Sequence, residues 1–409
     1  MKRLSTTTLA LALALGVTTA AVVTPEPAVA QKSKAPKLKL SEPVRKAISE
    51  AQTAIQAKDT ATAQAKLSEA KAAAQTEDDR YVVGSVQYDL SRLTNDQKAQ
   101  AEAVDMMLQS GKVAPESQGQ FYKALGQLSY ATQNFAKAEQ ALDQARKLDP
   151  NDSEIFGLLA EVKYKNRKPA EAVALIQQAA DAGEAKGQPI PKEWYGRGIA
   201  IGMEGKLPDP VAKLSQSWLK SYSDRSNWRD ALIIYRDLHP MDAELNLDLM
   251  RLQRAAGALK GERDYVELIE ATYLKFPGEA KAVADEGAAA GAINAAQSRS
   301  VKELSTIAAG KIAADKASLK KSATSGRTAL GLADAYASYK DYASAIEMYG
   351  KAESLGGVDA DTVKLRKAAA LAQSGQKDAA KQILATITTG PRADLAKFWT
   401  IFIDRPPAG

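Results

Sequence analysis

Apolar side chains follow a helical spacing along most of the chain, and one block of them recurs 34 residues later. The matched positions are Tyr122 and Phe156, Leu125 and Leu159, Tyr130 and Tyr164, Ala138 and Ala172, Leu142 and Ile176, and Ala145 and Ala179. Recurrence at a fixed offset is the sequence signature of a repeat architecture. The pattern therefore predicts stacked copies of one helical unit.

A polar break divides each repeated unit into two helices. The breaks fall at Gln133-Asn134 and at Asn166-Arg167, between segments whose apolar positions fit helices. Pro150 and the following Asn151-Asp152 stop one unit and cap the next. One helical hairpin cannot bury its apolar face alone, so its neighbours must stack on it. We therefore expect a solenoid of helical hairpins.

The stretch from Tyr122 to Pro150 resembles the tetratricopeptide repeat, because most signature positions of that family are filled, namely Leu125-Gly126, Phe135, Ala138, Leu142 and Ala145. The same signature is met near the other end by Leu332, Tyr336, Tyr342, Ala345, Tyr349 and Ala352. The resemblance implies an all-α fold, an alpha-alpha superhelix of hairpins whose first helices line a concave groove. It also implies that protein segments bind in that groove.

The patterns divide the chain into five segments. Residues 1–30 are predicted to be a signal peptide and residues 31–41 a basic linker that contains Pro36. Repeats of the tetratricopeptide type are expected over residues 42–185. Irregular helical hairpins without the signature follow over residues 186–277. Residues 278–409 are expected to hold further helices and repeats, and to end in an apolar cap helix.

The first segment has the three parts of a secretory signal, namely two basic residues, an apolar run over residues 9–23, and Ala28-Val29-Ala30 as a cleavage site. The apolar run has about 15 residues, whereas a membrane-spanning helix needs about 20, so cleavage is favoured over an uncleaved anchor. The chain has no cysteine, which excludes disulfides and a lipidated N-terminal cysteine. We expect a periplasmic protein without an integral membrane segment after cleavage; secretion beyond the periplasm is an alternative.

The formal net charge is +6, with basic and acidic residues mixed along the predicted helices. This mixture is typical of solvated helix faces and not of a nucleic-acid site, so no nucleic-acid partner is expected. The basic residues cluster only after the cleavage site, at Lys32, Lys34, Lys37 and Lys39. That cluster either is a flexible linker or attaches the protein peripherally to anionic lipids or cell-wall polymers.

No set of residues in the sequence predicts catalysis or a cofactor. His239 is the single histidine and cysteine is absent, which excludes most metal sites and His-based catalysis. Gly196, Gly198 and Gly202 follow no strand, so they do not form a dinucleotide fingerprint. We therefore predict no catalytic residue, no metal and no cofactor.

The resemblance also implies which side chains face the groove. They are Lys123, Gln127 and Tyr130 in one repeat and Glu161, Tyr164 and Lys165 in the next. Tyrosine suits a recognition surface, but Tyr130 and Tyr164 could equally wedge adjacent hairpins apart. The family's clamp for a partner's terminal carboxylate is not expected, because only Lys123 fits it, whereas Gln127 and Glu154 depart from it.

These features predict a non-catalytic scaffold or adaptor of the bacterial cell envelope that binds segments of protein partners in its groove. An alternative is a factor that binds or processes glycans with the tryptophan-rich middle, residues 186–273, which contains Trp194, Trp218 and Trp228. A third interpretation is a membrane-surface adaptor that uses the basic stretch after Gln31.

Overall fold

The computed structural model describes residues 38–294 and 298–408. The predicted signal peptide, residues 1–30, and most of the predicted linker, residues 31–37, lie outside the described residues. The chain divides into a unit of residues 1–39 and a unit of residues 40–409, and all described helices belong to the second unit.

The predicted all-α solenoid is confirmed, since 77% of the structure is helical, with 20 helices and no strands in the part of the chain that is described. The helices of the first half are α1 (Glu42–Gln56), α2 (Thr60–Ala73), α3 (Glu77–Leu93), α4 (Gln97–Gln109), α5 (Pro115–Ala131), α6 (Phe135–Leu148), α7 (Ser153–Lys165), α8 (Pro169–Ala185), α9 (Lys192–Glu204) and α10 (Pro208–Ser221). Those of the second half are α11 (Arg225–Leu238), α12 (Ala243–Ala255), α13 (Gly261–Thr272), α14 (Pro277–Ala289), α15 (Arg299–Ser318), α16 (Gly326–Ser338), α17 (Tyr342–Leu355), α18 (Ala360–Gln373), α19 (Lys377–Leu384) and α20 (Pro391–Asp404).

One turn geometry recurs between the two helices of a hairpin. A non-glycine residue with positive φ follows the first helix in six hairpins, at Lys58, Asn95, Gln133, Arg167, Lys206 and Lys340. The next residue is the N-cap of the second helix, and before α6 the side chain of Asn134 accepts a hydrogen bond from the backbone N–H of Lys137. In α8 and α10 a proline at the first turn replaces this cap, where its missing N–H costs nothing. The predicted breaks at residues 133–134 and 166–167 coincide with two of these turns.

Small residues bring the two helices of a hairpin close together. Ala138 and Ala145 on α6 are fully buried against α5. On α5, a Cβ placed at Gly126 would lie 2.5 Å from Cγ of Leu142, closer than side chains can approach. Glycine is therefore required at residue 126 for the observed distance between α5 and α6. Hairpins with this close approach stack in sequence from α1 to α10, each in contact with the next.

The chain returns on itself in its second half. Helix α11 has more contact with α10 than with α12, and the final helix α20 packs on α10, α12, α18 and α19. Aromatic rings join α20 to α11: the ring centroid of Phe398 lies 5.6 Å from that of Tyr235 and 6.5 Å from that of Trp228. The sequence predicts only a terminal cap here. Helix α20 covers α18 and α19 as a cap would, but it also packs the end of the chain against its middle.

Polar contacts strengthen this return. The hydroxyl of Tyr235 donates to the carbonyl of Pro391 at 3.2 Å, and the backbone N–H of Ala408 donates to the carbonyl of Ser223 at 2.9 Å. Below them lies a buried ion pair, in which Nε of Arg366 on α18 donates to Oδ1 of Asp248 on α12 at 2.7 Å. The contacts fix α18 and α20 against a part of the chain more than a hundred residues earlier.

Within the described ranges, none of the helices combines the length and the apolar character that crossing a membrane requires.

We predict opposite effects for two glycine substitutions on α5. Gly126→Ala should destabilise the protein by about 1–2 kcal/mol, because the added methyl group overpacks the contact with Leu142. Gly119→Ala is the matched control, since its Cβ would meet only Leu148 at an ordinary 3.6 Å, and it should stabilise by about 0.5–1 kcal/mol through helix propensity. Urea unfolding of both variants measures this difference. Equal effects of the two substitutions would contradict the close approach of α5 and α6.

We also predict that Phe398→Ala loosens the middle of the chain as well as its end. Loss of this fully buried ring should cost about 3–5 kcal/mol, because a cavity remains among the rings of α11. Hydrogen exchange should accelerate in α11 and α12 together with α18 to α20, whereas α1 to α4 should keep their protection. Phe121→Ala on α5 is the control, and it should accelerate exchange only among the neighbouring hairpins. If Phe398→Ala accelerates hydrogen exchange only in α18 to α20, then α20 merely caps the end of the chain.

Candidate protein-interaction site

The six predicted binding residues lie on two neighbouring helices. Lys123, Gln127 and Tyr130 belong to α5, and Glu161, Tyr164 and Lys165 belong to α7. Helices α5, α7 and α9 are the first helices of three consecutive hairpins, and ion pairs and hydrogen bonds join each to the next. We call the surface formed by α5, α7 and α9 the A-helix face.

The ammonium group of Lys123 is held between two carboxylates at the start of α7. Its Nζ lies 2.7 Å from Oδ2 of Asp152 and 2.6 Å from Oε2 of Glu154. Burial lowers the pKa of Lys123, but hydrogen bonds to both carboxylates outweigh that effect, so its pKa lies above the ordinary value. The amide of Gln127 donates to Glu154 at 3.2 Å. Lys123 is therefore already paired with carboxylates of its own chain.

A second set of contacts joins α7 to α9. Nη2 of Arg197 donates to Oε2 of Glu161 at 2.9 Å, and Nε of the same guanidinium bonds the other carboxylate oxygen. The hydrogen bond to Glu161 raises the pKa of Arg197. The guanidinium lies 4.7 Å from the ring centroid of Tyr164, whose hydroxyl donates to Glu204 at 2.6 Å. That hydrogen bond raises the pKa of Tyr164, so the phenol stays protonated.

The remaining two predicted residues differ in exposure. Tyr130 is half-buried and packs on Phe135, with ring centroids 5.7 Å apart. Burial and the nearby charge of Glu161 raise the pKa of Tyr130. Lys165 is exposed, with its ammonium group 5.9 Å from the ring of Tyr164. Both tyrosine rings thus pack against neighbouring side chains and remain partly exposed on the surface.

Sequence reasoning missed Arg197 and Glu204, although they complete this surface. Both lie on α9, in the segment that lacks the repeat signature, so no matched position pointed to them. With them, the A-helix face consists of half-exposed tyrosine rings held in place by paired charges. Such a surface suits contacts with side chains and backbone of another protein, since aromatic rings supply apolar area at a low cost in conformational entropy.

The tryptophans of the middle segment are largely internal. Trp228 is fully buried, Trp218 is 7% exposed, and Trp194 packs so closely on α7 that a Cβ at Gly157 would lie 2.4 Å from its ring. The indole N–H of Trp228 donates to Ser223, a contact that belongs to the return of the chain. The rings of Trp218 and Trp228 are therefore not free to stack on a sugar, whereas Trp194 is partly exposed.

A second feature that sequence reasoning missed is a cavity of about 540 Å³ in the second half of the chain. We call it the C-terminal cavity; its wall is formed by α12, α14, α16, α17, α18 and α20. Charged residues on otherwise apolar helix faces gave a signal for it, namely Asp248, Asp334 and Arg366. No group of three or more acidic or histidine side chains placed to hold a metal ion occurs among residues 38–294 and 298–408.

Residues 129–185 match a family model described as a tetratricopeptide repeat. Among solved structures, an Naa15/Naa10 complex bound to HypK-THB is 14% identical over 88% of this chain and 68% of that chain, with a TM-score of 0.32. The TPR2AB domain of yeast Sti1 in a pHSP90 complex is 14% identical over 70% and 99%, with a TM-score of 0.25. PilF of Pseudomonas aeruginosa is 15% identical over 65% and 97%, with a TM-score of 0.26.

No curated protein gives a significant match to the chain. The TM-scores are low, and the solenoid fold is established by the helices of this chain. The matched residues 129–185 comprise the end of α5 and the whole of α6, α7 and α8, which are the hairpins whose repeat was read from the sequence. The resemblance is confirmed over this segment, which matches the tetratricopeptide repeat.

Proposed function

We propose that this protein is a non-catalytic scaffold that binds segments of partner proteins along the A-helix face. The observation that carries the proposal is that Tyr130, Tyr164 and Lys165, within the segment that matches the tetratricopeptide repeat, share one surface with Arg197 of the next hairpin. Repeats of this type suggest a protein-binding scaffold, and solenoids use their extended surfaces for binding.

The paired charges of the A-helix face would help binding by fixing the side chains in advance. Arg197 donates two hydrogen bonds to Glu161 and stacks over Tyr164, whose hydroxyl donates to Glu204. A partner that contacts these groups would not have to order them, so less conformational entropy would be lost on binding. The exposed Lys165 would supply an unburied positive charge at the rim of the same surface, where a charge mainly affects the association rate.

The first experiment places photo-crosslinking residues at Gln127 and at Lys165, with Lys213 and Lys220 on α10 as controls. The control residues pair with α8 on the side of the second helices, away from the A-helix face. We expect the first two positions to cross-link a defined protein segment in the envelope of the source cell and the control positions to give none. Equal cross-linking from both sides would contradict the proposal.

The cross-linked segment is then tested as a synthetic peptide. Tyr164→Ala should weaken its binding about tenfold, because aromatic anchors carry much of the energy of a protein interface. Lys213→Ala should leave the affinity unchanged, and circular dichroism should show equal helicity for both variants. Unchanged affinity in a folded Tyr164→Ala variant would exclude the A-helix face as the binding surface.

We further propose that the protein works in the bacterial cell envelope, after export and cleavage before Gln31. The support is the signal pattern of residues 1–30. In the source cell, the intact mass should correspond to a chain that begins at Gln31, found in the periplasmic fraction.

A cleavage-site variant tests this localisation. Ala28→Leu plus Ala30→Leu should retain residues 1–30, because the cleavage site requires small side chains. Ala21→Leu is the control, since it lies in the apolar run and should be processed normally. A cytoplasmic protein that keeps residues 1–30 without any substitution would exclude export.

A further inference from the structure

The C-terminal cavity exists because the end of the chain packs against its middle. Helices α18 and α20 close on α12, and α14, α16 and α17 complete the wall. Its volume of about 540 Å³ lies within the usual range of cavities that hold small organic ligands. These helices are separate from the A-helix face, so the cavity is independent of the proposed protein-binding function.

Two arginines one turn apart on α12 dominate one wall. Nη2 of Arg251 donates to Glu279 at 2.7 Å, and its Nε also bonds this carboxylate. Nε and Nη2 of Arg254 donate to Glu286 at 2.8 and 2.7 Å. A guanidinium carries five N–H groups, so these hydrogen bonds do not use the two hydrogens of Nη1 in either arginine. Within the described residues, Nη1 of neither arginine donates a hydrogen bond, although Nη1 of Arg254 lies 3.5 Å from Glu279.

Arg366 and Tyr349 bind two buried carboxylates, Asp248 in the cavity lining and Asp334 beside it. Asp248 accepts from Nε and Nη2 of Arg366, whose Nη1 donates to Asp334 at 2.8 Å. The other oxygen of Asp334 accepts from the hydroxyl of Tyr349 at 2.6 Å. Arg366 therefore pairs with Asp248 and Asp334, whereas Nη1 of Arg251 and of Arg254 faces no such hydrogen-bonded carboxylate within the described residues. The lining also holds more cationic than anionic side chains, namely Arg251, Arg254, Lys340 and Arg366 against Asp248, Glu279 and Glu286.

The apolar part of the lining consists largely of small side chains. It comprises Ala255, Ala337, Leu365, Ala369, Ala370 and Trp399. The alanines leave the space that larger residues would fill, and the indole of Trp399 forms part of the same lining. At the mouth, Lys340 is largely exposed and its Nζ lies 3.5 Å from Glu286. The cavity lining thus includes both hydrogen-bond donors and apolar surface.

We propose that the C-terminal cavity binds a small organic anion, in which a carboxylate or phosphate is attached to an apolar group. The anionic oxygens accept hydrogen bonds from Nη1 of Arg251 and Arg254, and the apolar group packs on the alanines and Trp399. Arginine suits this role because its planar group binds carboxylate or phosphate oxygens in pairs. Lys340 attracts the anion to the mouth.

The test is isothermal titration of the full chain with four probes. Benzoate and phenyl phosphate carry the two anionic groups on the same ring, benzylamine carries a cation on that ring, and inorganic phosphate lacks the ring. We expect binding of benzoate, phenyl phosphate or both at millimolar concentration, with a change in tryptophan fluorescence from Trp399. Benzylamine should not bind, and inorganic phosphate should bind about tenfold more weakly than phenyl phosphate, because it gains no apolar contact.

Charge variants give the next comparison. Arg254→Gln should weaken anion binding about tenfold, since a hydrogen bond to a charged group is lost. The fold should persist, because Arg251 still holds Glu279 and Lys340 still faces Glu286. Arg236→Gln is the matched control, because Arg236 pairs with Glu267 at 2.9 Å between α11 and α13, with similar exposure and outside the cavity. It should bind the probes as the wild type does.

Two further variants separate binding from stability. Ala369→Phe fills the apolar side without altering any charge, and it should abolish binding of benzoate and phenyl phosphate. Glu286→Ala frees Nε and Nη2 of Arg254 and should make anion binding several-fold tighter, although it removes a stabilising ion pair. Urea midpoints monitor folding of each variant. The proposal is overturned by equal binding of benzylamine, by no anion binding to the folded wild type at millimolar concentration, or by wild-type affinity in folded Arg254→Gln and Ala369→Phe.

Discussion

Close contact between the two helices of a hairpin is the constraint on which the rest of the structure depends. The approach of α6 to α5 is set by Gly126 opposite Leu142 and by Ala138 and Ala145. A hairpin closed in this way still exposes an apolar side, which the next hairpin covers. The spacing between successive hairpins in turn places Lys123 within reach of Asp152. A larger side chain in the first contact would therefore disturb the polar surface as well as the core.

The second half of the chain adds a contact of a different kind. Hairpins from α1 to α8 pack on their neighbours along the chain, whereas α20 packs against α10 and α12, and Arg366 of α18 pairs with Asp248 of α12. Burial of Asp248 and Arg366 removes both charges from water, which is costly unless hydrogen bonds compensate it. Here Asp334 and Tyr349 complete the bonding, so the charges are tolerated only when α12, α16, α17 and α18 are in register. The polar network thus specifies how the chain closes, and the same closure encloses the C-terminal cavity.

The sequence predicted what depends on local periodicity. The 34-residue recurrence located α5 to α8 and their turns, because the spacing of apolar residues records which side of each helix is covered. It could not reveal the partners of α20, since the hydroxyl of Tyr235 meets Pro391 across 156 residues and no periodic pattern links such distant positions. A helix that only caps the end of the solenoid and a helix that also packs on the middle of the chain need the same apolar residues, so the sequence of α20 does not distinguish them.

The candidate site was likewise only partly predictable from the sequence. The resemblance placed six residues on α5 and α7, and the structure brings them to one surface. Whether a partner binds there stays a prediction. The internal partners of these residues could not be predicted, because Arg197 and Glu204 come from a segment without the signature. For the C-terminal cavity, isolated charges such as Asp248 within an apolar helix face were visible, but their convergence required the return of the chain.

That return bears on how the protein can change in length during evolution. Among the hairpins before α9, duplication or loss of one unit leaves the contacts of α20 intact, because each of these hairpins packs on its neighbours along the chain. From α11 to α20, an added hairpin would separate Phe398 from Trp228 and Arg366 from Asp248, and the chain could no longer close. We therefore expect natural variation in repeat number to be confined to the hairpins before α9, while the number of helices from α9 onward stays constant.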